Sequence, residues 1–447
     1  MKTEPPISSP TNNNGALAIA VPAGRAARRT RLGTMTASVA GAMAVNGVTQ
    51  LCKGQRPSWR DLLLTPRNLH KITNQLAQMR GAAMKIGQLV SMDTGEMLPA
   101  ELAQIMARLR ADADYMPPAQ LKQVLNAQWP QNWLSQFAKF DVRPIAAASI
   151  GQVHRARLKD GRDIAIKVQY PGIAESIESD VANVGTLMKM SGLLPKGFEL
   201  KPYLHEAAQQ LHEETDYARE GAHLEHFNTL LQDDPAFELP TLIPEWSTDR
   251  ILAMTYVAGD PIESTESLPQ QQRDQIAHDL IALMLKELFV FGKMQTDPNF
   301  ANYRFNQTIQ KIVLLDFGAT RDISAKISDQ YKRLITAGLA QDQSGLYDLS
   351  VEIGFFNEDT AQDHKTQIIH LMQMVFDALL RRPIFDFADT TLSQEIQTKG
   401  IVLADSGFIP PPLPIDVLFL QRKFGGMFLL ANKLKARVAV AEMLNGV

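Results

Sequence analysis

The first long hydrophobic pattern in the chain has the period of a helix. Apolar residues recur every three or four positions along one stripe, made up of Leu69, Ile72, Leu76, Met79, Ala83, Ile86 and Val90. Such spacing lines one face of an α-helix. A second helix is predicted at 98–109, and Pro117 and Pro118 separate it from a third that begins near Ala119. The first third of the chain is therefore predicted to be helical and to precede any sheet.

The pattern changes to strands at Pro144. Residues 153–158 and 163–168 read as two strands, and Asp160-Gly161 between them suits the positive φ of a tight hairpin turn. The further predictions are helices at 174–190, 203–231 and 274–291, strands at 250–256 and 312–315, and mostly helix after Ser324 apart from the Pro-rich residues 409–414.

Composition narrows the class of protein. The chain has 447 residues, of which 45% are hydrophobic, and this is long enough for two or three domains. The net charge of -3 does not support nucleic acid as a partner, because nucleic-acid-binding domains are usually basic. With Cys52 as the single cysteine, neither a disulfide within the chain nor a cysteine-based zinc site can form.

The N-terminal region has two interpretations. Residues 1–24 are polar and are expected to be disordered, and a cluster of arginines at 25–31 then precedes the uncharged residues 32–52. Together the last two segments could form an interfacial anchor on anionic lipid. The alternative is a helix of small residues packed on protein, beside a solvated basic turn.

Three polar motifs stand in the order and context of a kinase site. Lys167 ends Ile-Ala-Ile-Lys on a predicted strand, the pattern of the lysine that pairs with the α- and β-phosphates. Asp297 and Asn302 are five residues apart, as are the base and the metal-binding asparagine of a kinase catalytic loop. Asp316 begins Asp-Phe-Gly after an apolar strand and would hold Mg²⁺.

A fourth motif is the alanine-rich loop that precedes the lysine strand. It corresponds to the glycine-rich loop of kinases, but alanine replaces the first two glycines. Alanine limits how closely the backbone of the loop can approach the phosphates. We also assign two residues around the end of the strand 250–256 to the nucleotide. The predicted nucleotide-binding residues are Ala146, Ala147, Ala148, Ser149, Gly151, Val153, Lys167, Met254 and Val257.

An acidic run on the predicted helix 203–231 offers a partner for Lys167. Glu213, Asp216 and Glu220 fall on one face at i, i+3 and i+7, and Glu214 falls on another. Glu220 is our preferred partner, with Glu214 second. Lys167, Glu220 and Asp297 are the predicted catalytic residues, and Asn302 and Asp316 the predicted metal ligands.

At these motifs the sequence resembles the UbiB/ADCK family of atypical kinases, in its mitochondrial-type branch. The resemblance rests on Lys-Ile-Gly-Gln at 85–88, the alanine-rich loop, Glu-Thr-Asp at 214–216, Gln-Thr-Asp-Pro-Asn at 295–299 and Asp-Phe-Gly at 316–318. It implies regulatory roles for Lys85, Gln88, Glu214 and Asp216, with the helix that carries Lys85 lying over the active site.

The motifs and the resemblance together predict an α+β, atypical protein-kinase-like bilobal fold. The expected domains are a disordered tail at 1–24, a helical extension at 25–143, a kinase-like N-lobe at 144–256 and a helical C-lobe at 257–447. The implied cofactors are ATP (or ADP) and Mg²⁺. Expected partners are a nucleotide, a quinone-precursor lipid, a membrane surface and other ubiquinone-biosynthesis proteins, and the expected location is cytoplasmic, on the inner face of the membrane.

The implied function is an ATP-dependent atypical kinase or ATPase that supports ubiquinone (coenzyme Q) biosynthesis. The chain has no Ala-Pro-Glu motif and no long segment after Asp-Phe-Gly, so phosphorylation of proteins in trans is disfavoured. A small-molecule kinase, or an ATPase that moves lipid intermediates or partners, fits better. The alternatives are a nucleotide-binding pseudokinase scaffold and a lipid-binding regulator.

Overall fold

The computed structural model of the chain describes residues 76, 79–94, 115–191, 199–408, 410–411 and 413–446. The predicted tail, the arginine cluster, the uncharged segment 32–52 and the predicted helix at 98–109 lie outside these residues. The chain divides into two compact units. The first is formed by Met1–Ala218 and Leu242–Tyr256, and the second by Arg219–Thr241 and Val257–Val447.

The helices and strands of the described residues are numbered in chain order. The helices are α1 (Arg80–Thr94), α2 (Pro118–Gln128), α3 (Ile173–Ser191), α4 (Lys201–Thr215), α5 (Tyr217–Leu230), α6 (Gln270–Lys286), α7 (Ala325–Leu339), α8 (Gln343–Ile353), α9 (Gln362–Arg381), α10 (Thr391–Asp405), α11 (Ile415–Lys433) and α12 (Val440–Asn445). The strands are β1 (Phe137–Phe140), β2 (Ala146–Ala147), β3 (Gly151–Leu158), β4 (Asp163–Gln169), β5 (Phe237–Glu238), β6 (Ile251–Thr255), β7 (Asp260–Pro261), β8 (Lys293–Gln295), β9 (Tyr303–Asn306), β10 (Lys311–Leu314), β11 (Thr320–Asp322), β12 (Phe385–Asp386) and β13 (Arg437–Val438).

The first unit is built on an antiparallel sheet with strand order β1-β3-β4-β6, and β2 also pairs with β3. The hairpin between β3 and β4 turns at Gly161, whose φ of +96° favours glycine. Strand β1 was not predicted: it lies before Pro144, whereas the first strand was expected at 153–158. Its register shifts between Phe137 and Lys139, and this bulge breaks the alternation by which a strand is recognised.

The core of this sheet combines aliphatic and aromatic side chains. Ile164, Ile166 and Val168 are fully buried on one face of β4. They belong to one cluster with Trp129 and Trp133, and the Nε1 of Trp129 donates to the Trp246 carbonyl at 3.1 Å. The opposite face of β4 is thereby left to Lys167, because neighbouring strand residues point to opposite faces.

Helices α1, α3 and α4 pack against one another in the same unit. The described members of the predicted stripe are buried: Met79, just before α1, and Ala83 and Ile86 on it are 3% exposed or less. The single helix predicted at 203–231 is instead two helices, α4 and α5, with Asp216 between them at φ −89° and ψ 85°. The Thr215 carbonyl accepts a hydrogen bond from Gln169 at 2.6 Å, so a distant side chain takes the place of the next helical turn.

The second unit carries a sheet of order β5-β10-β9-β7, a ladder between β8 and β11, and a short pair of β12 with β13. The helix predicted at 274–291 is α6 followed by a π-helical turn at Glu287–Phe291, which ends at Gly292 with φ +60°. Helix α11 lies against α6. None of the helices in the described residues is both long and apolar enough to cross a bilayer.

Candidate functional site

Lys167 is a buried lysine in the middle of the first unit's sheet. It lies on β4 between Val153 of β3 and Leu252 of β6, and it is 7% exposed. Its Nζ is 5.4 Å from the centre of the Tyr217 ring, within the range of a cation–π interaction. Lys167 is therefore not a solvated lysine at the edge of a strand.

The alanine-rich loop is a tight hairpin at the start of β3. Ala146 and Ala147 are exposed and pair with Val153 and Gln152, and the Ala148 N–H donates to the Gly151 carbonyl at 2.8 Å. A Cβ added to Gly151 would lie 2.4 Å from the Val168 carbonyl oxygen, so a side chain there has no room. The loop is therefore fixed to β4 by a close backbone approach.

Glu214, near the end of α4, joins the loop to helix α1. One of its carboxylate oxygens forms an ion pair with the buried Lys85, and the other accepts a hydrogen bond from the Ser149 hydroxyl at 2.7 Å. A Cβ on Gly81 would be 3.3 Å from the Ser149 carbonyl oxygen, so α1 also approaches the loop through its backbone. Lys85, Glu214 and Ser149 form one polar group in the first unit.

In the second unit, the loop that follows β8 brings Asp297 and Asn302 together. The Asn302 amide donates to the Asp297 backbone carbonyl at 3.2 Å and to its Oδ2 at 3.3 Å. The amide oxygen of Asn302 is then directed away from the carboxylate it contacts. The five-residue spacing read from the sequence thus corresponds to a direct contact between the two side chains.

Helix α11 supports this loop through two adjacent basic residues. The Arg422 guanidinium forms an ion pair with Oδ1 of Asp297. The Lys423 Nζ lies 3.2 Å from Glu287 and donates to the Gln295 carbonyl at 2.8 Å, and both charged side chains are 2% exposed. Sequence reasoning missed both residues. Two consecutive basic residues in the middle of a largely apolar helix were the available signal.

Burial opposes the charge of both Lys423 and Glu287, and the attraction between the two side chains counteracts it. Burial alone would lower the pKa of Lys423, but Glu287 and Tyr303 together raise it to about 12. Burial acts on Glu287 in the other direction and raises the pKa of its carboxyl group. Neither charge would be stable there without the other.

The Asp-Phe-Gly turn lies beside α5, in the part of that helix that belongs to the second unit. The Gly318 N–H donates to Oδ1 of Asp316 at 3.0 Å, and the rings of Phe317 and Phe227 are 4.9 Å apart. A Cβ on Gly318 would be 3.4 Å from Oε2 of Glu220, which is 2% exposed. The same Cβ would be 3.3 Å from Oδ1 of Asp316, so the Glu220 and Asp316 carboxylates lie near the same position beside this glycine.

The acidic run is divided by the break at Asp216. Glu213 and Glu214 are on α4, Asp216 is exposed between the helices, and Glu220 is on α5. The shared face expected for Glu213, Asp216 and Glu220 does not form, because it required one continuous helix. Glu214 contacts Lys85 and Ser149, whereas Glu220 is beside the Asp-Phe-Gly turn.

The other predicted residues are placed as follows. Met254 is buried on β6, across from Ala165 of β4, in the first unit. Val257 is half-buried in the second unit. Gln88 belongs to α1, and its side chain lies outside the described residues. The predicted phosphate-binding residues are thus in the first unit, and the predicted catalytic carboxylates and metal ligands in the second.

The donor atoms of the second unit suit a hard cation. Asn302 and Asp316 offer an amide oxygen and a carboxylate, and oxygen is the ligand that Mg²⁺ prefers. Mg²⁺ keeps several waters and is commonly held by one or two carboxylates together with substrate phosphates. Two side chains would therefore be enough for a metal that arrives with a nucleotide, and the residues present fit Mg²⁺.

Comparison with known proteins identifies relatives over most of the chain. A family model described as the ABC1 atypical kinase-like domain matches residues 108–350. The mitochondrial atypical kinase COQ8 of Saccharomyces cerevisiae is 38% identical over 426 residues, which are 95% of this chain and 84% of that protein. The mitochondrial atypical kinase COQ8B of Danio rerio is 36% identical over 381 residues, and the chain spans 61% of its length.

A solved structure supports the same architecture. The Rv3197–erythromycin complex from Mycobacterium tuberculosis matches 84% of this chain and 95% of that chain, with a TM-score of 0.59 and 22% sequence identity. At that identity the likeness concerns the fold alone. Together with the family model, it confirms the kinase-like fold predicted from the sequence.

Proposed function

Because the chain belongs to the ABC1 atypical kinase-like family, we propose that it binds Mg–ATP and uses it as an atypical kinase or ATPase that supports ubiquinone biosynthesis. Lys167 and the alanine-rich loop contact the phosphates. Asn302 and Asp316 hold Mg²⁺, which neutralises phosphate charge when it is bound. Glu220 is the proposed partner of Lys167.

One observation carries this proposal more than any other. Within the second unit, Asn302 contacts Asp297, and Asp316 is fixed by the backbone of its own Asp-Phe-Gly turn. A base candidate and two metal-ligand candidates are thus each held by a specific hydrogen bond. A fold that no longer handled a metal–nucleotide complex would not need all three groups.

The acceptor is proposed to be a small molecule or water. Six residues lie between Gly318 and the start of α7 at Ala325, and three of them form β11. In protein kinases a much longer activation segment lies here and provides the platform for a peptide. We therefore expect turnover to be coupled to a quinone-precursor lipid or to partner proteins of the pathway at the inner face of a membrane.

The first test is the metal dependence of nucleotide binding. Titration calorimetry should show Mg–ATP binding by the wild-type protein and at least roughly tenfold weaker binding by Asp316→Asn, which loses a charged metal ligand. Asp329→Asn, an exposed residue of α7, is the matched control and should bind like the wild type. Equal affinity in wild type and Asp316→Asn would rule out the assigned metal site.

The second test asks whether the bound nucleotide turns over. Phosphate release from Mg–ATP should increase with liposomes and a quinone-precursor-like phenol, and it should disappear in Asp316→Asn. A quinone-related acceptor or activator predicts a response to the phenol even without liposomes. If phosphate release responds to neither additive, the proposed coupling to a lipid is wrong, whereas the proposed nucleotide site is unaffected.

A second candidate function is a nucleotide-binding scaffold with little turnover. The ion pair between Arg422 and Asp297 favours it, because a carboxylate oxygen that already pairs with a guanidinium is less available to a substrate hydroxyl. Tight Mg–ATP binding without phosphate release would support the scaffold. Phosphate release that Asp316→Asn abolishes would support the enzyme.

A further inference from the structure

Three consecutive carbonyl groups, beginning with that of the glycine in Asp-Phe-Gly, accept hydrogen bonds from Arg219 of α5 and from Thr296, which directly follows β8. Arg219 of α5 donates from Nη1 to the Gly318 carbonyl at 3.1 Å and from Nη2 to the Thr320 carbonyl at 2.7 Å. Thr296 donates to the Ala319 carbonyl between them, from its hydroxyl at 2.8 Å and from its backbone N–H at 3.1 Å. We call Gly318–Thr320 the clamped segment.

The two clamping residues are next to residues of the proposed site. Arg219 directly precedes Glu220, and Thr296 directly precedes Asp297. The clamped segment begins at Gly318, whose N–H already donates to Asp316. One short stretch of backbone therefore connects all three proposed carboxylates of the second unit, and a shift of this stretch would move them together.

The hydrogen bonds fix the backbone of Gly318 on both sides. Its N–H is bound by Asp316 and its carbonyl by Arg219, so both peptide planes next to its Cα are oriented. The guanidinium suits this task, because its planar fork holds two acceptors in a set geometry that a lysine cannot reproduce. Hydrogen bonds from a charged donor are also stronger than neutral ones.

In protein kinases the position of the Asp-Phe-Gly aspartate depends on the helix that carries the glutamate and on the phosphorylation of an activation segment. The clamped segment provides a fixed alternative, because the helix with Glu220 donates directly to the backbone after Asp-Phe-Gly. The contact of Phe227 with Phe317 joins the same two elements a second time.

We propose that Arg219 and Thr296 are positioning residues that hold the clamped segment and thereby orient Asp316 for Mg²⁺ without an activation segment. The proposal deepens the proposed function and rests on it. Neither residue needs to touch the nucleotide. Their effect is therefore expected on the metal requirement of binding rather than on the binding of nucleotide itself.

The test uses the full chain and four variants. Arg219→Lys keeps the charge and loses the fork, and Thr296→Val keeps the shape and loses the hydroxyl. Thr296→Ser keeps the hydroxyl and serves as the conservative rescue. Arg333→Lys, which removes the fork of an exposed arginine on α7, is the matched control. Displacement of a fluorescent ATP analogue is measured across a Mg²⁺ series and in EDTA.

Arg219→Lys and Thr296→Val should each raise the Mg²⁺ concentration at half-maximal binding by roughly tenfold, as expected for losing one strong hydrogen bond. Their binding of metal-free nucleotide should stay within about twofold of wild type. Thr296→Ser and Arg333→Lys should keep the wild-type midpoint. The valine variant gives an independent result if the lysine variant does not fold.

Two outcomes would overturn the positioning role while the proposed function stands. One is an unchanged Mg²⁺ midpoint in both clamp variants. The other is an equal loss of metal-free and Mg-bound nucleotide, which indicates a general structural defect. A wild-type protein whose nucleotide binding does not respond to Mg²⁺ would instead overturn the proposed function, and the positioning role with it.

Discussion

Removing the charge of Lys423 should destabilise the second unit strongly. Lys423→Met keeps the length of the side chain but leaves Glu287, which is 2% exposed, without its ion-pair partner. It also removes the donor to the Gln295 carbonyl and a contact with the Tyr303 hydroxyl. Breaking a buried pair from one side costs about 3–5 kcal/mol, because an uncompensated charge stays inside the protein.

The loss can be measured as a lower melting temperature. For a unit of roughly 200 residues, 1 kcal/mol corresponds to about 2–4 °C, so Lys423→Met should melt about 6–20 °C lower. Calorimetry and far-UV circular dichroism are the appropriate probes. Tryptophan fluorescence would follow the wrong part of the chain, because the described tryptophans, Trp129, Trp133 and Trp246, all lie in the first unit.

A double variant separates the charge from the packing. Glu287→Gln removes the buried carboxylate that Lys423→Met leaves without a partner. The double variant should therefore regain most of the stability that Lys423→Met loses. The control is Lys433, which lies on the same helix as Lys423 and forms an exposed ion pair with Glu266. Lys433→Met should change the melting temperature little. A double variant no more stable than Lys423→Met alone would refute the explanation by an uncompensated charge.

Two further predictions concern packing and pH. Gly426→Ala should cost about 1–3 kcal/mol and reduce phosphate release, because the new Cβ would be 2.2 Å from Pro298, whereas Gly425→Ala has open space and should be neutral or stabilising by calorimetry. Equal stability of the two variants would contradict this. Burial, then repulsion by Arg219 and Lys293, lowers the pKa of the half-buried His223 to about 4. As the pH falls, the imidazole of residue 223 therefore takes up a proton in the unfolded state before it does so in the folded state. The free energy of unfolding should fall by about 1–2 kcal/mol between pH 6.5 and pH 4, after allowance for solvent screening. Urea unfolding of His223→Gln should show a flatter pH profile, and a profile like that of the wild type would contradict the assignment.

The sequence was sufficient for features that depend on local pattern. The strand with Lys167 was predicted from its alternation and its hairpin, and the Asp-Phe-Gly motif from the apolar strand before it; both strands are present as β4 and β10. The family resemblance was also predicted from the motifs and is confirmed by the relatives. These features need residues that are close in the chain, so spacing is enough to recognise them.

Features that depend on distant partners could not be predicted in the same way. At the end of α4 the Thr215 carbonyl accepts a hydrogen bond from Gln169, which is 46 residues away, whereas the local sequence pattern predicts one continuous helix. The pairing of Arg422 with Asp297 spans 125 residues, and that of Arg219 with Gly318 spans 99. A basic residue in a helix has many possible partners, and a single sequence does not select among them.

The geometry of the candidate catalytic loop therefore depends on α11 as much as on the loop itself. Arg422 contacts the carboxylate of Asp297, Lys423 holds the carbonyl before Thr296, and Gly426 allows Pro298 to pack against the helix. Residues 422 and 426 are one turn apart, so they meet the loop on one helical face. Because a packed interior transmits small displacements, a change in α11 should alter the chemistry before it unfolds the protein. Variants in this helix should accordingly be examined first for catalytic defects, even though Arg422 is 125 residues away from Asp297 in the sequence.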